Sequence, residues 1–191
     1  HFVSRRRESA EAFCSDFGGT TVYDHYEQAL KAEIDGVVIC TPPEHHADQA
    51  LLALQHEKGV LVEKPLCVNE EALAEVAQTV AGRPDVPFLV AENYYYKPSL
   101  KQLQWILEQN FIGPLKSVQV RKCFTQTADG WKSQYGALLE GGIHFVAIIS
   151  GLVGRTPLSV SAQFPDRIDG ESERHSPVSY THLTLPTTLS V

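Results

Sequence analysis

Apolar residues fall along this chain in two alternating rhythms. The unbroken run Val37-Val38-Ile39-Cys40 predicts a buried strand, as parallel strands usually are, and Val60-Leu61-Val62 and Phe88-Leu89-Val90 predict further strands. Phe2-Val3 and Thr21-Val22-Tyr23 are shorter pieces of the same kind. Between these runs, apolar positions recur every three or four residues. Ala10, Phe13, Cys14 and Phe17 share one face of a helix over 8–17 that Gly18-Gly19 stops, and a second helix covers 26–32. Ala47, Ala50, Leu51 and Leu54 mark a helix over 43–55, closed by Gly59. Asn69 is a good N-cap for a further helix, because its first turn carries Glu70 and Glu71 where acidic charge suits the dipole. The inner face of that helix is Leu73, Val76, Ala77 and Val80. Strands and helices in alternation predict an α/β fold, a parallel sheet with helical crossovers.

After Glu92 the pattern changes. Pro98 and Ser99 open a helix with Leu100, Leu103, Ile106 and Leu107 inward, and 111–114 form a turn. Residues 115–124 alternate Val118 and Val120 with charged positions, which predicts a strand with one solvated face. A polar loop at 125–134, a helix over 137–152 and a strand over 158–164 follow, reading as the start of a second, α+β domain. From Pro177 onward both periodicities vanish. Residues 177–191 resemble the translation of a transposase-type sequencing adapter and are expected to be a non-native tail outside the fold.

Composition narrows the function classes. With 191 residues, 43% of them hydrophobic, the chain is long enough for a core of its own. Its net charge of −7 argues against a nucleic-acid surface, since such surfaces carry a basic stripe to neutralise phosphates. The basic run is Arg5-Arg6-Arg7. The four cysteines, Cys14, Cys40, Cys67 and Cys123, make no Cys-x-x-Cys pair, so no metal site is expected, and three of them are expected to be reduced core thiols. No stretch approaches a membrane span and the first residues lack signal-peptide order, which makes the cytoplasm the expected compartment.

Candidate chemistry centres on Glu63-Lys64-Pro65, which ends the apolar run 60–62. Proline fixes φ and removes a donor, so the strand stops at Lys64, and ligands of open α/β sheets bind at strand ends. Lysine before proline also closes many ordinary surface strands. The company it keeps decides between these readings. In order come Asp35-Gly36-Val37-Val38-Ile39-Cys40-Thr41-Pro42 with His46 one turn later, Val62-Glu63-Lys64-Pro65-Leu66, and Glu92-Asn93-Tyr94-Tyr95-Tyr96. Ile112-Gly113-Pro114-Leu115, Trp131-Lys132 and Gly136-Ala137-Leu138-Leu139-Glu140-Gly141-Gly142-Ile143-His144 follow. Together these pieces resemble the Gfo/Idh/MocA family of nicotinamide-dependent oxidoreductases, over essentially the whole chain up to about Phe164.

The resemblance implies an incomplete Rossmann-type parallel sheet at 1–92 and the beginning of an α+β substrate domain at 93–176. It implies that Lys64 lies near the nicotinamide and the substrate hydroxyl, and that His144 serves as acid or base. Glu140, four residues before His144, stands where aspartate is commoner and is implied to complete the catalytic set. On an α-helix that spacing puts both side chains on one face, where the carboxylate orients or charge-stabilises the imidazole. An ordinary lysine is an ammonium at neutral pH whereas imidazole exchanges protons there, so His144 is the expected proton carrier and Lys64 its electrostatic partner.

Thr41, Pro42, His46, Glu63, Lys64 and Asn93, all at strand ends, are the expected cofactor contacts. Phe2-Val3 corresponds to the second strand of such a domain, so the first strand and its glycine-rich pyrophosphate turn are expected upstream, and the chain by itself is expected to be inactive. At the end of that second strand, where an acidic residue would receive the ribose of NAD, stand Ser4 and Arg5. A hydroxyl and a guanidinium there suit an extra phosphate, which tips the expected cofactor from NAD toward NADP, although a basic run also serves solubility. Trp131 and Lys132 join Lys64 and His144 as expected substrate contacts, and such a pair also serves as a packing anchor. The implied activity is hydride transfer between a nicotinamide and a hydroxyl or keto group of a sugar, polyol or related compound. A dinucleotide-binding regulator and an NAD-dependent glycosidase are the alternatives. Lys64 together with His144 favours the enzyme, since a sensor has no need of paired proton-transfer groups. The expected partners are a small-molecule substrate and, at full length, further copies of the chain, with neither nucleic acid nor membrane.

Overall fold

A computed structural model describes residues 1–121, 135–154, 157–163 and 178–181. The chain divides into two compact units, His1–Ala91 and Glu92–Val191. In the first, β1 (Phe2–Val3) pairs in parallel with β2 (Val22–Tyr23), and the two are joined through α1 (Arg7–Asp16). After α2 (Tyr26–Leu30), the strands β3 (Gly36–Ile39), β4 (Gly59–Val62) and β5 (Phe88–Val90) form a second parallel sheet in that order. The crossovers are a 3₁₀ turn, Pro43–His45, running into α3 (His46–Gln55), and then α4 (Glu70–Ala81). This is the α/β architecture that the alternation of apolar runs predicts.

Local chemistry explains the joints. The Asn69 side chain accepts the Ala72 backbone N–H at 2.8 Å and so starts α4 where its capping chemistry predicts. Gly36 pairs with Gly59 across the first rung of the β3–β4 ladder, and a Cβ on Gly36 would lie 2.8 Å from the Gly59 carbonyl oxygen. Only glycine admits that approach. The core gathers Leu30 of α2, Ile39 of β3, Ala50, Ala53 and Leu54 of α3, and Val60 and Val62 of β4.

One face of the three-stranded sheet faces that core. The other carries the cross-strand row Val38, Leu61 and Leu89, which are 68%, 37% and 51% exposed. β3 is therefore not buried on both faces as its unbroken apolarity predicts, because successive side chains of a strand point to opposite sides and the helices here pack on one. The cysteines also differ from expectation. Cys14 and Cys67 are half-buried and Cys40 is exposed, because Cys40 lies just beyond the last residue of β3.

The second unit opens with a 3₁₀ turn, Asn93–Tyr96, and α5 (Pro98–Glu108). Further along the chain a π-helical turn, Leu138–Gly142, leads directly into α6 (Ile143–Val153). Gly154 ends α6 at φ 64°, the left-handed conformation that glycine adopts without penalty. β6 (Ser159–Ala162) pairs antiparallel with β7 (Val178–Thr181). Two expectations change. Residues 115–121, the described part of the strand predicted over 115–124, form no strand, because alternation is only a tendency until a neighbouring strand pairs with it. Conversely, β7 lies in the segment 177–191 set aside as lacking periodicity. Four residues are too few for a period of two to show, yet enough to satisfy a ladder.

Candidate functional site

In the first unit the chemistry collects at the carboxyl ends of the parallel strands. Beyond β3, the Thr41 hydroxyl donates to Gln49 Oε1 at 2.8 Å, and Pro42 leads into the 3₁₀ turn, its carbonyl accepting the His45 N–H at 3.0 Å. Beyond β4, the Glu63 N–H donates to the Ile39 carbonyl at 2.9 Å and extends the ladder by one residue. The Lys64 N–H then turns back to Glu63 Oε2 at 3.1 Å, and a cis peptide joins Lys64 to Pro65. Lys64 is thus delivered half-buried at a strand end by the backbone itself. Partial burial, and then the charge of Glu63, push the Cys40 thiol up, so it stays protonated and is a poor nucleophile.

His46 occupies a different place from the one its sequence position predicts. Its ring is 1% exposed, with Nδ1 2.7 Å from the Pro65 carbonyl oxygen and Nε2 2.6 Å from that of Thr41. Both partners are acceptors. A neutral imidazole has one N–H and satisfies one carbonyl at a time, whereas the imidazolium satisfies both. In either state both ring nitrogens face carbonyls of the fold, so His46 is a strut between the loops that carry Thr41 and Lys64.

The basic run separates by role. Arg7, at the start of α1, donates to Glu11 Oε1 at 2.8 Å and to Asp24 Oδ1, and these carboxylates hold its guanidinium charged. Arg5 is exposed between β1 and α1, and the Ser4 hydroxyl oxygen beside it accepts the Arg6 N–H at 3.4 Å. Ser4 and Arg5 therefore stand at the carboxyl end of a parallel strand, ahead of a helix N-terminus.

In the second unit the chemistry is built from side chains. His144, on the first turn of α6, donates from Nδ1 to Glu92, 2.8 Å from Oε1 and 2.9 Å from Oε2. Glu92 is 7% exposed, and its Oε1 also accepts the Tyr94 N–H at 3.0 Å, capping the 3₁₀ turn. The Tyr94 ring stacks on the imidazole, centroids 4.3 Å apart and planes 14° from parallel. Lys97 Nζ lies 3.3 Å from the centroid of the Tyr94 ring, a cation–π contact. Asn93 is exposed at the start of the same turn.

Sequence spacing predicts Glu140 as the carboxylate that orients His144; the structure puts Glu92 on Nδ1. Glu140 lies in the π-helical turn, its N–H donating to the Gly136 carbonyl at 3.0 Å. Glu92 and Tyr94 are the residues that sequence reasoning passes over. They enter it as part of the Glu92-Asn93-Tyr94-Tyr95-Tyr96 piece of the resemblance and not as site residues, with nothing to connect them to a histidine 52 positions away. Trp131 and Lys132 lie outside the described residues. Among the described residues no cluster of three or more His, Cys, Asp or Glu side chains has the arrangement to hold a metal ion, and no helix is long and apolar enough to cross a membrane.

Residues 1–91 match the model of an oxidoreductase family with an NAD-binding Rossmann fold, GFO_IDH_MocA. Residues 1–91 thus belong with the Rossmann domains of the Gfo/Idh/MocA oxidoreductases. Among curated relatives, it is 34% identical over 159 residues to the trans-1,2-dihydrobenzene-1,2-diol dehydrogenase of Danio rerio, a match over 77% of this chain and 45% of that protein. It is 29% identical over 153 residues to the glucose-6-phosphate 3-dehydrogenase of Bacillus subtilis, over 75% of this chain and 43% of that protein. An oxidoreductase of Thermotoga maritima shares the fold with a TM-score of 0.75 at 23% identity, over 94% of this chain and 59% of that one. The chain thus spans about half the length of the curated relatives it matches. In this Rossmann domain, Thr41, Pro42, Glu63 and Lys64 stand at the carboxyl ends of the parallel strands, the end at which open α/β sheets receive ligands.

Proposed function

We propose that the full-length protein is an NAD(P)-dependent oxidoreductase that moves a hydride between the nicotinamide and a carbinol or carbonyl carbon of a sugar, polyol or related diol. The observation that carries this reading is the state in which His144 is held. Its Nδ1 proton is committed to Glu92, so Nε2 is the ring atom with a lone pair to exchange a substrate proton. Residues at the ends of β1, β3 and β4 suit a dinucleotide: Thr41 and Lys64 for its nicotinamide end, Ser4 and Arg5 for the adenosine ribose. When bound, the nicotinamide accepts or returns the hydride. His144 takes the hydroxyl proton during oxidation and returns it during reduction, while the Lys64 ammonium stabilises negative charge developing on the substrate oxygen. Arg5 and Ser4 favour NADP over NAD because a guanidinium pairs with a 2′-phosphate in two places.

The substrate class draws on the relatives. Their names specify a 1,2-diol and a sugar phosphate oxidised at carbon 3, and both substrates carry adjacent oxygenated carbons. The full-length gene product, assayed by nicotinamide absorbance against sugars, polyols and dihydrodiols, is expected to turn over a vicinal diol and to prefer NADP. Lys64→Ala and His144→Ala are each expected to lower kcat by about a hundredfold or more. A wild-type protein with no turnover on the panel would sink the oxidoreductase reading, and unchanged kcat in both variants would sink the assignment of residues.

A further inference from the structure

We infer that Glu92 is the positioning residue for His144, and that it fixes the imidazole in the tautomer with its proton on Nδ1. This rests on the reading of His144 as the proton carrier. Three features of the geometry support it. Both carboxylate oxygens lie within 2.9 Å of Nδ1, so the acceptor spans the whole approach to that nitrogen. One of the same oxygens accepts the Tyr94 N–H, so the carboxylate is tied to the backbone turn it caps and does not follow the imidazole if the ring rotates. The Tyr94 ring lies against the imidazole within 14° of parallel, which restricts the tilt of the ring plane. Rotation about the ring axis would move Nδ1 off the carboxylate, and tilt would break the stack.

The carboxylate does two things at once for proton transfer. As an acceptor it selects the neutral tautomer whose Nε2 is a base. As an anion at 7% exposure, it stabilises the imidazolium formed when Nε2 takes the substrate proton. The same residue also caps the turn Asn93–Tyr96, which is the rival explanation for its burial. The two roles separate by substitution. Aspartate caps well but is one methylene too short to keep both contacts. Glutamine keeps the length and one acceptor while losing the charge. Leucine loses both.

The test combines turnover of the full-length enzyme on its diol substrate with the imidazole ¹⁵N shifts of histidine-labelled protein, the His144 signal being assigned through His144→Gln. Wild type is expected to show Nδ1–H at His144. Glu92→Leu is expected to lose that preference and to lower kcat about a hundredfold with KM within about twofold. Glu92→Gln should keep the tautomer and lose about tenfold in kcat, and Glu92→Asp should fall between them. Glu92→Gln is isosteric, so it serves if Glu92→Leu does not fold. An Nε2–H tautomer in wild type, or kcat unchanged in Glu92→Asp and Glu92→Gln alike, would overturn the proposal and leave Glu92 a cap. The two readings fail differently. A tautomer that follows Glu92 in a protein without turnover upholds the coupling and overturns the oxidoreductase assignment, whereas an active enzyme whose His144 is indifferent to Glu92 does the reverse.

Discussion

Two histidines, one in each unit, carry the same side chain into opposite roles. His46 has a backbone carbonyl on each ring nitrogen and is 1% exposed. His144 has a carboxylate on one nitrogen and the other left to act as the acceptor. What separates a strut from the proposed proton carrier is the inventory of partners. Two acceptors consume an imidazole, while one acceptor on Nδ1 prepares Nε2 for exchange. The surroundings of Lys64 and of His144 follow the same division. Lys64 is placed by a strand ladder and a buried strut, whereas His144 is placed by Glu92 and Tyr94 side chains brought from the start of its own unit.

The largest effect that tests this contrast falls on His46. His46→Ala removes the buried ring set between the Thr41 and Pro65 carbonyls and leaves a cavity at the start of α3, which is expected to cost about 3 kcal/mol of unfolding free energy in a denaturant titration. His144→Asn keeps a side-chain donor toward Glu92 and is expected to cost about 1 kcal/mol or less. Equal losses at the two positions would erase the distinction.

The same contrast decides how much the sequence discloses. β4, α3 and α4 are legible because their signals are local: an apolar run, a face recurring every three or four residues, and Asn69 followed by two glutamates. Lys64 is legible for that reason, since the strand that delivers it ends in its own triplet. Glu92 is not, because its meaning lies in a contact across 52 positions that no local pattern encodes. The π turn before α6 is equally silent: Gly141-Gly142 permits it, and an α-helical reading of Glu140 and His144 follows from spacing alone. Apolarity likewise predicts burial of both faces of β3, although Val38 is exposed, because a run of apolar residues records what a strand is able to bury and not what is packed upon it.

Two capping residues sharpen the comparison at smaller amplitude. Asn69 caps α4 and nothing more is asked of it, whereas Glu92 caps a turn and also holds His144. Asn69→Ala is expected to lower stability by about 1 kcal/mol, read by thermal or denaturant unfolding, with kcat unchanged in the full-length enzyme. A fall in kcat comparable to that of Glu92→Leu would mean that capping alone, through the loss of local order, accounts for both.

The smallest effect at neutral pH concerns Tyr26, whose hydroxyl donates to the Gln49 carbonyl at 3.1 Å while the Gln49 side chain receives the Thr41 hydroxyl. This links α2 to the strand end that His46 also braces. Tyr26→Phe is expected to cost about 0.5 kcal/mol there, the low end for a half-buried hydrogen bond. Its signature lies at high pH. Burial pushes the Tyr26 phenol up, so the folded protein keeps that proton at pH values where the unfolded chain, near its ordinary value of about 10, has released it. Tyr26 therefore contributes its full stability below about pH 10, and the contribution declines as pH rises through the unfolded value toward the folded one. Unfolding free energy measured on either side of about pH 10 should fall more steeply for wild type than for Tyr26→Phe. Identical slopes would mean that the phenol is as free in the fold as in the unfolded chain, and that the brace at Thr41 rests on His46 and Gln49 alone.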